Sequence, residues 1–510
     1  MPVSINIEPD SPIMGRRVDV LLQRSRQAVP ILFLSVLVCL FSGLLPTLER
    51  PGAAVLLVGI YVLSLKIFGR PEIGAWLFII FLLNVTLSSF FPVPTLNLGF
   101  LVLPSPLMGI TVLTLGAGFL KGVKIGAVSK IIRISWLPIF VLILLIQAVF
   151  ILLGHGTGVE FSRLGVTAIS FISLVMVMLV YSGREKLVLL IRFMVVSYFF
   201  FSLVNTVLSL QTGIGFRGLE GDGLNNMAST SAAGILNIFL PVGFAMVLIE
   251  KKAFWKLVSL CAVGACTTML FLTTTRGGLI GLAIMTLGWL LLGRRYLSRW
   301  FFLVLISIPI VFLALNTTYT IFVSSSNVFG GSGIGELRLT DYIGQMVWGD
   351  GSNPMSPGNY YDRMKIFMAA LDEIVRNPFM GIGANRVPSH SLLLATALDG
   401  GIFYMLLWTL LLLSLLYCSY RRWRYFRMDQ FWGPLTLGLF LSTAFVVIQS
   451  TFDVMLFGLG YALLFWFVQG IGTVLDVWVR NRRGRLTIPG IWVPVAISPE
   501  KGPTEDCLGK

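Results

Sequence analysis

The chain has 510 residues, of which 56% are hydrophobic and only 12% charged, with a mean hydropathy of +0.88 and a formal net charge of +15. A soluble globular domain carries about 25% charged residues, so the composition excludes one and points to an all-α polytopic membrane protein. The basic residues are spread over many short segments with no single patch, which excludes a nucleic-acid-binding surface.

Residues 1–28 form a segment with four arginines, Arg16, Arg17, Arg24 and Arg26. The apolar run after it is long for the core of a secretion signal, and no small-residue cleavage site stands out, so it reads as an uncleaved first span. About fourteen apolar runs, each long enough to cross a bilayer as a helix, follow along the chain. They fall near 29–47, 52–68, 73–91, 102–120, 134–153, 164–182, 187–210, 230–249, 255–275, 277–293, 299–317, 391–417, 433–450 and 455–478. The order is a bundle over 29–317, a large loop over 318–390, a second bundle over 391–478 and a basic tail over 479–510.

Charge sets the orientation. With residue 1 in the cytoplasm, alternate loops fall inside, and 28 of the 38 Lys and Arg residues lie in those segments. Arg50, Arg163, Arg217, Arg276, Arg338, Arg363, Lys365, Arg376 and Arg386 lie outside. This bias places both termini in the cytoplasm. Arg192, near the inner end of its span, reads as a snorkelling side chain. The five cysteines, Cys39, Cys261, Cys266, Cys418 and Cys507, lie in or near spans or in the tail, so no disulfide framework is implied.

Two outer segments stand apart. Residues 211–229 are rich in Gly and Asn. Residues 318–390 begin Gly/Ser/Asn-rich, as a loop, and then become periodic. Met364, Phe367, Met368, Leu371, Ile374 and Val375 recur at helical spacing and form one apolar face. Asn377-Pro378 ends that helix, which is expected on the membrane surface or over a cavity.

The chemistry-bearing residues collect on the same side. His390 is one of only two histidines, at the seam between loop and span, and imidazole is the side chain suited to proton transfer near neutral pH. His155 sits in a short turn, Gly154-His155-Gly156, without such a context. Arg276, between Thr273-Thr274-Thr275 and Gly277-Gly278, sits at a membrane edge, where a charge is costly unless it is paired or wet. With Arg217 and Arg363 it points to an anionic ligand, since guanidinium binds phosphate bidentately. Asp399, nine residues beyond His390, is placed to orient a partner. Glu220 and Asp222 are a weak metal signal. There is no Walker A sequence, HExxH, CxxC or GxSxG.

The ordered set resembles the O-antigen ligase and Wzy-type polymerase superfamily. Its pieces are Arg217 in a Gly/Asn-rich segment, Thr273-Thr274-Thr275-Arg276-Gly277-Gly278, and the block from Arg363 to Gly401. That block runs Arg363, an amphipathic helix, Asn377-Pro378, Gly381-Ile382-Gly383 and His390. Leu394, Asp399 and Gly401 then fall at the family's offsets from the histidine. Ser391 stands where the family usually has Asn, and Asn225-Asn226 where it has a Pro-Asn pair. The resemblance covers about residues 200–420.

It implies a GT-C-like, metal-independent glycosyltransferase at the outer face of the bacterial inner membrane. Its partners would be an undecaprenyl-diphosphate-linked oligosaccharide donor, a saccharide or lipid acceptor and the bilayer, with room for a chain-length regulator. His390 would be the catalytic base, Arg217, Arg276 and Arg363 would bind the diphosphate, and Asp399 would support them. No cofactor is expected. A polymerase is favoured over a ligase acting on a lipid A core or a protein hydroxyl. A polysaccharide exporter or flippase is the rival of another class, and it should place polar sites near the bilayer midplane.

Overall fold

A computed structural model describes residues 96–97, 102–103, 136–151, 158–180, 184–212, 229–273, 275–298, 357–383, 387, 389–457 and 459–482. All of them belong to one compact unit, Phe68–Lys510. The expected spans 29–47, 52–68, 73–91 and 299–317 lie outside the described residues. So does all of 102–120 but its first two residues, which are extended: Val102–Leu103 pairs antiparallel with Leu96–Asn97.

Each of the nine other expected spans falls on a helix. They are α1 (Leu137–Phe150), α2 (Gly158–Val180), α3 (Arg184–Thr212), α4 (Ser229–Ile249), α5 (Ala253–Leu272), α6 (Arg276–Leu292), α8 (Leu392–Phe426), α9 (Trp432–Gln449) and α10 (Leu459–Arg482). The expected amphipathic helix is α7, Pro357–Arg376. Among the described residues, five stretches are long and apolar enough to cross a bilayer: Thr230–Ile249, Ala253–Phe271, Leu392–Phe426, Trp432–Gln449 and Tyr461–Val479. The described part is thus that of a helical membrane protein.

Burial separates centre from rim. The spans of α4, α9 and α10 are 94%, 78% and 89% buried, whereas those of α5 and α8 are each 33% buried. The buried ones are rich in small residues because, in lipid, helices associate by close packing and internal hydrogen bonds. α4 meets α9 where Gly438 lies against the Pro241 carbonyl, a methyl there falling 3.0 Å from its carbon. Pro241 disrupts the helical bonding of α4. Ser442 of α9 donates to the Ile238 carbonyl at 2.7 Å, three residues before the proline, which bonds the two helices directly. Aromatic rings fill the remaining seams: Tyr198 on Phe239 at 4.7 Å and Phe140 on Trp466 at 4.2 Å.

α8 is not one straight span. Gly400 (φ −140°, ψ 17°) and Gly401 (φ 79°, ψ −178°) break it into helices over 392–399 and 402–426. The expected span 391–417 is corrected accordingly: the long apolar helix starts after the break and runs to Phe426. The cause is local. Neither glycine is helical, and hydropathy does not register backbone angles.

At one end of the bundle the basic residues converge. Arg192 donates from Nε and Nη2 to both oxygens of Glu250, at 2.6 and 2.8 Å, and lies over the Trp255 ring. It is therefore bound to a carboxylate rather than snorkelling. Arg422 makes the same fork to Asp476, at 2.9 and 2.7 Å. Arg184 lies over Phe431 and Trp432, and Trp432 packs on Trp478. Tyr296 donates to the Arg427 carbonyl at 2.7 Å. Burial raises its phenol above the ordinary value, against the lowering effect of Arg295.

Candidate functional site

The site lies at the opposite end, where α6, α8 and α9 meet. α6 is drawn against α4 and α9 by a strip of glycines. A methyl at Gly278 would lie 3.1 Å from the Ala233 Cβ, and one at Gly281 2.5 Å from the Phe445 ring. Asn237 of α4 donates to the Gly278 carbonyl at 3.0 Å. Arg276 is the first residue of α6, after Thr275 at the N-cap. A methyl on the next residue, Gly277, would lie 3.7 Å from Nε2 of Gln449, which ends α9.

The start of α8 is fastened one residue further on. The Leu392 amide donates to the Ser450 carbonyl at 3.0 Å. Just before it, the Ser391 amide donates to Ser389 Oγ at 3.3 Å, and that hydroxyl donates to the Ser391 carbonyl at 3.0 Å. This short turn brackets His390, which is exposed. His390 is thus two residues before an amide bonded to Ser450, and Arg276 one residue before a glycine that faces Gln449. Ser391 is buried and N-caps α8 without a side-chain capping bond.

Asp399 closes the other end of the 392–399 helix, but its partner is not His390. It forms an ion pair with Arg163 Nη1, and both side chains are largely buried. The Arg163 guanidinium also lies 4.4 Å above the Phe457 ring. Arg163 was counted in the sequence only as an outer-loop charge, because the span was expected to start at 164. The helix starts at Gly158, which makes Arg163 a helical residue. An isolated arginine at the head of an apolar run was the available signal; its partner is 236 residues away.

The turn after α7 docks onto the break in α8 through backbone hydrogen bonds, with the Phe379 ring stacked on Phe403. The Ile382 and Gly383 amides donate to the Leu398 carbonyl at 2.7 and 3.2 Å, and the Ile402 amide donates to the Pro378 carbonyl at 2.8 Å. Gly381 (φ 66°) and Gly401 (φ 79°) are required here. A side chain at Gly381 would lie 2.8 Å from the Asp399 carbonyl carbon, and one at Gly401 2.8 Å from the Pro378 carbonyl oxygen. The motif Asn377-Pro378…Gly381-x-Gly383 and the pair Gly400-Gly401 are two halves of one contact.

Of the other expected site residues, Arg363 is in the first half of α7, about 20 Å along the helix from Arg376. Arg217 lies outside the described residues, as do Glu220 and Asp222. It falls between the end of α3 at Thr212 and the start of α4 at Ser229. Among the described residues, no three His, Cys, Asp or Glu side chains converge. The end of the bundle thus presents an exposed imidazole, the head of an arginine-led helix and a buried ion pair.

These features define a multi-helix membrane protein with a polar site at one end of the bundle. The chain matches no family model and no curated protein.

Proposed function

We propose that this protein is a membrane glycosyltransferase that polymerises undecaprenyl-diphosphate-linked oligosaccharide at the outer face of the bacterial inner membrane. The reading rests on the resemblance to O-antigen ligases and Wzy-type polymerases. The observation that carries it furthest is that the starts of α6 and α8, at Arg276 and just after His390, both lie beside the end of α9, at Gln449 and Ser450. The basic end of the bundle is then cytoplasmic, as the positive-inside rule requires, and the histidine end is periplasmic.

The chemistry follows from the residue types. His390, as the neutral imidazole, accepts the proton of an acceptor hydroxyl. The oxygen forms a bond to the anomeric carbon of the donor while the bond from that carbon to the diphosphate oxygen breaks. The electron pair leaves with the lipid diphosphate. Arg276, with Arg217 and Arg363, balances the charge that develops there. The lipid diphosphate carries the activation, so no nucleotide is consumed.

The test is His390→Ala in a strain lacking the native gene, with the membrane level of the protein checked. Loss of a general base costs about 10²–10⁴-fold in rate, so long chains should vanish and single lipid-linked repeats should build up on the outer face. Long chains retained on the lipid would indicate a ligase. Repeats retained on the inner face would indicate the exporter. Chains of normal length and attachment would sink His390 as the base.

A further inference from the structure

Among the described residues, the apolar face of α7 and the turn that follows it are largely exposed. Val375 and Phe379 are 78% and 68% exposed, and Phe367, Met368 and Met380 are exposed as well. Ala370, on another side of α7, is fully buried, and α7 packs on α8. The helix is therefore attached to the bundle by one side and turns a second, apolar side away from it. Its polar side carries Lys365, Asp372 and Arg376, all exposed.

What covers the apolar face is indicated by α8. Phe403, Leu406, Leu410, Leu413 and Tyr417 are exposed at intervals of three and four residues, which forms one stripe down a helix long and apolar enough to cross a bilayer. Such a stripe on a membrane-crossing helix meets acyl chains. Phe379 stacks on Phe403, at the head of that stripe, with ring centroids 6.1 Å apart and planes 25° apart. The backbone bonds between 378–383 and 398–402 fix that contact. The exposed apolar surface of the turn is thus continuous with the lipid-facing surface of α8.

We infer that α7 and the 377–380 turn lie in the bilayer, along the boundary between headgroups and acyl chains. Val375, Phe379 and Met380 point into the acyl region, and Lys365 and Arg376 reach the phosphates. An amphipathic helix of this kind sits about 5–10 Å into the boundary. The helix is held in that plane from two sides, by lipid beneath and by the break in α8 at its end. It is an in-plane element of the membrane domain and not part of a solvated loop.

Two measurements test this in vesicles of phosphatidylethanolamine and phosphatidylglycerol. The native protein is first treated with hydrogen peroxide and its methionine sulfoxides are followed by mass spectrometry. Met368 and Met380 should oxidise several-fold more slowly than Met428, which is exposed at the basic end. Equal rates would overturn the inference. Spin labels are then placed at Val375→Cys, Phe379→Cys and Asp372→Cys, with the native cysteines replaced by alanine. Labels at 375 and 379 should collide with oxygen more than with a water-soluble nickel chelate, and the label at 372 the reverse. Preference for the chelate at 375 and 379 would mean a solvated helix. Low collision with both reagents would mean that protein, from a second copy or another part of this chain, covers the face; either result rejects the lipid placement.

Discussion

The two ends of the bundle are held in different ways. At the basic end, helices are joined by side chains: Arg192 forks onto Glu250 and Arg422 onto Asp476, with rings packed around them. At the histidine end the central contact is made by backbone, through glycines on both sides, and the ion pair between Arg163 and Asp399 supports it. In the proposed orientation the positive-inside rule already calls for arginines at the first end, so a carboxylate from a neighbouring helix is enough to make a joint. The second end leaves His390 exposed and brings a turn directly against a broken helix. Only missing side chains permit that approach.

Removing one partner of a joint at the basic end should have the largest effect on stability. Arg422 is only 2% exposed in its side chain, and Asp476→Ala would leave that charge buried and unpaired. The cost of such a change is about 3–5 kcal/mol, read as a lower temperature for loss of helicity in detergent. If Asp476→Ala melts with the wild type, the fork is not what holds α8 to α10.

Gly401→Ala comes next. Its backbone lies in a region open almost only to glycine, which alone costs about 1–3 kcal/mol, and the added methyl meets the Pro378 carbonyl. The expected result is loss of the turn's protection in hydrogen exchange at Ile382 and Ile402, with the basic end unchanged. Uniform loss across the bundle would show that the two ends are not independent.

Asp399→Ala removes the carboxylate that Arg163 pairs with, and leaves the guanidinium over the Phe457 ring. Loss of that charge-assisted bond should cost about 1.5–3 kcal/mol. The reversed pair, Arg163→Asp with Asp399→Arg, should recover more stability than the sum of the single changes predicts, and strict additivity would remove the pair from the account.

The smallest effect has the opposite sign. Gly264, in α5, has open space where a side chain would go. Gly264→Ala should stabilise by about 0.5–1 kcal/mol through helix propensity alone. A loss there would mean that this face of α5 is covered.

The sequence revealed what depends on local composition. The span expected over 230–249 coincides with Thr230–Ile249, because nothing in that run interrupts the hydropathy, Pro241 included. The amphipathic α7 was legible from the spacing of Phe367, Met368, Leu371 and Val375. The same-end placement of His390 and Arg276 followed from loop charges. Three features were hidden, and each is set by a distant or conformational cause. The break at Gly400-Gly401 is a matter of dihedral angles within a run of unbroken hydropathy. The pairing of Arg163 with Asp399, and of Arg192 with Glu250, joins residues whose separations carry no pattern. The capping of the Ile238 carbonyl by Ser442 is equally remote in the chain.

That last bond sets a clock on biosynthesis. Ile238 and Ser442 are 204 residues apart. At about 5–20 residues per second, the ribosome needs about 10–40 s to reach the serine after the carbonyl has been made. α4 therefore enters the membrane, and waits there, before its partner exists. The central helix of the finished protein lacks this contact while 204 further residues are made, and α9, among the last helices made, supplies it.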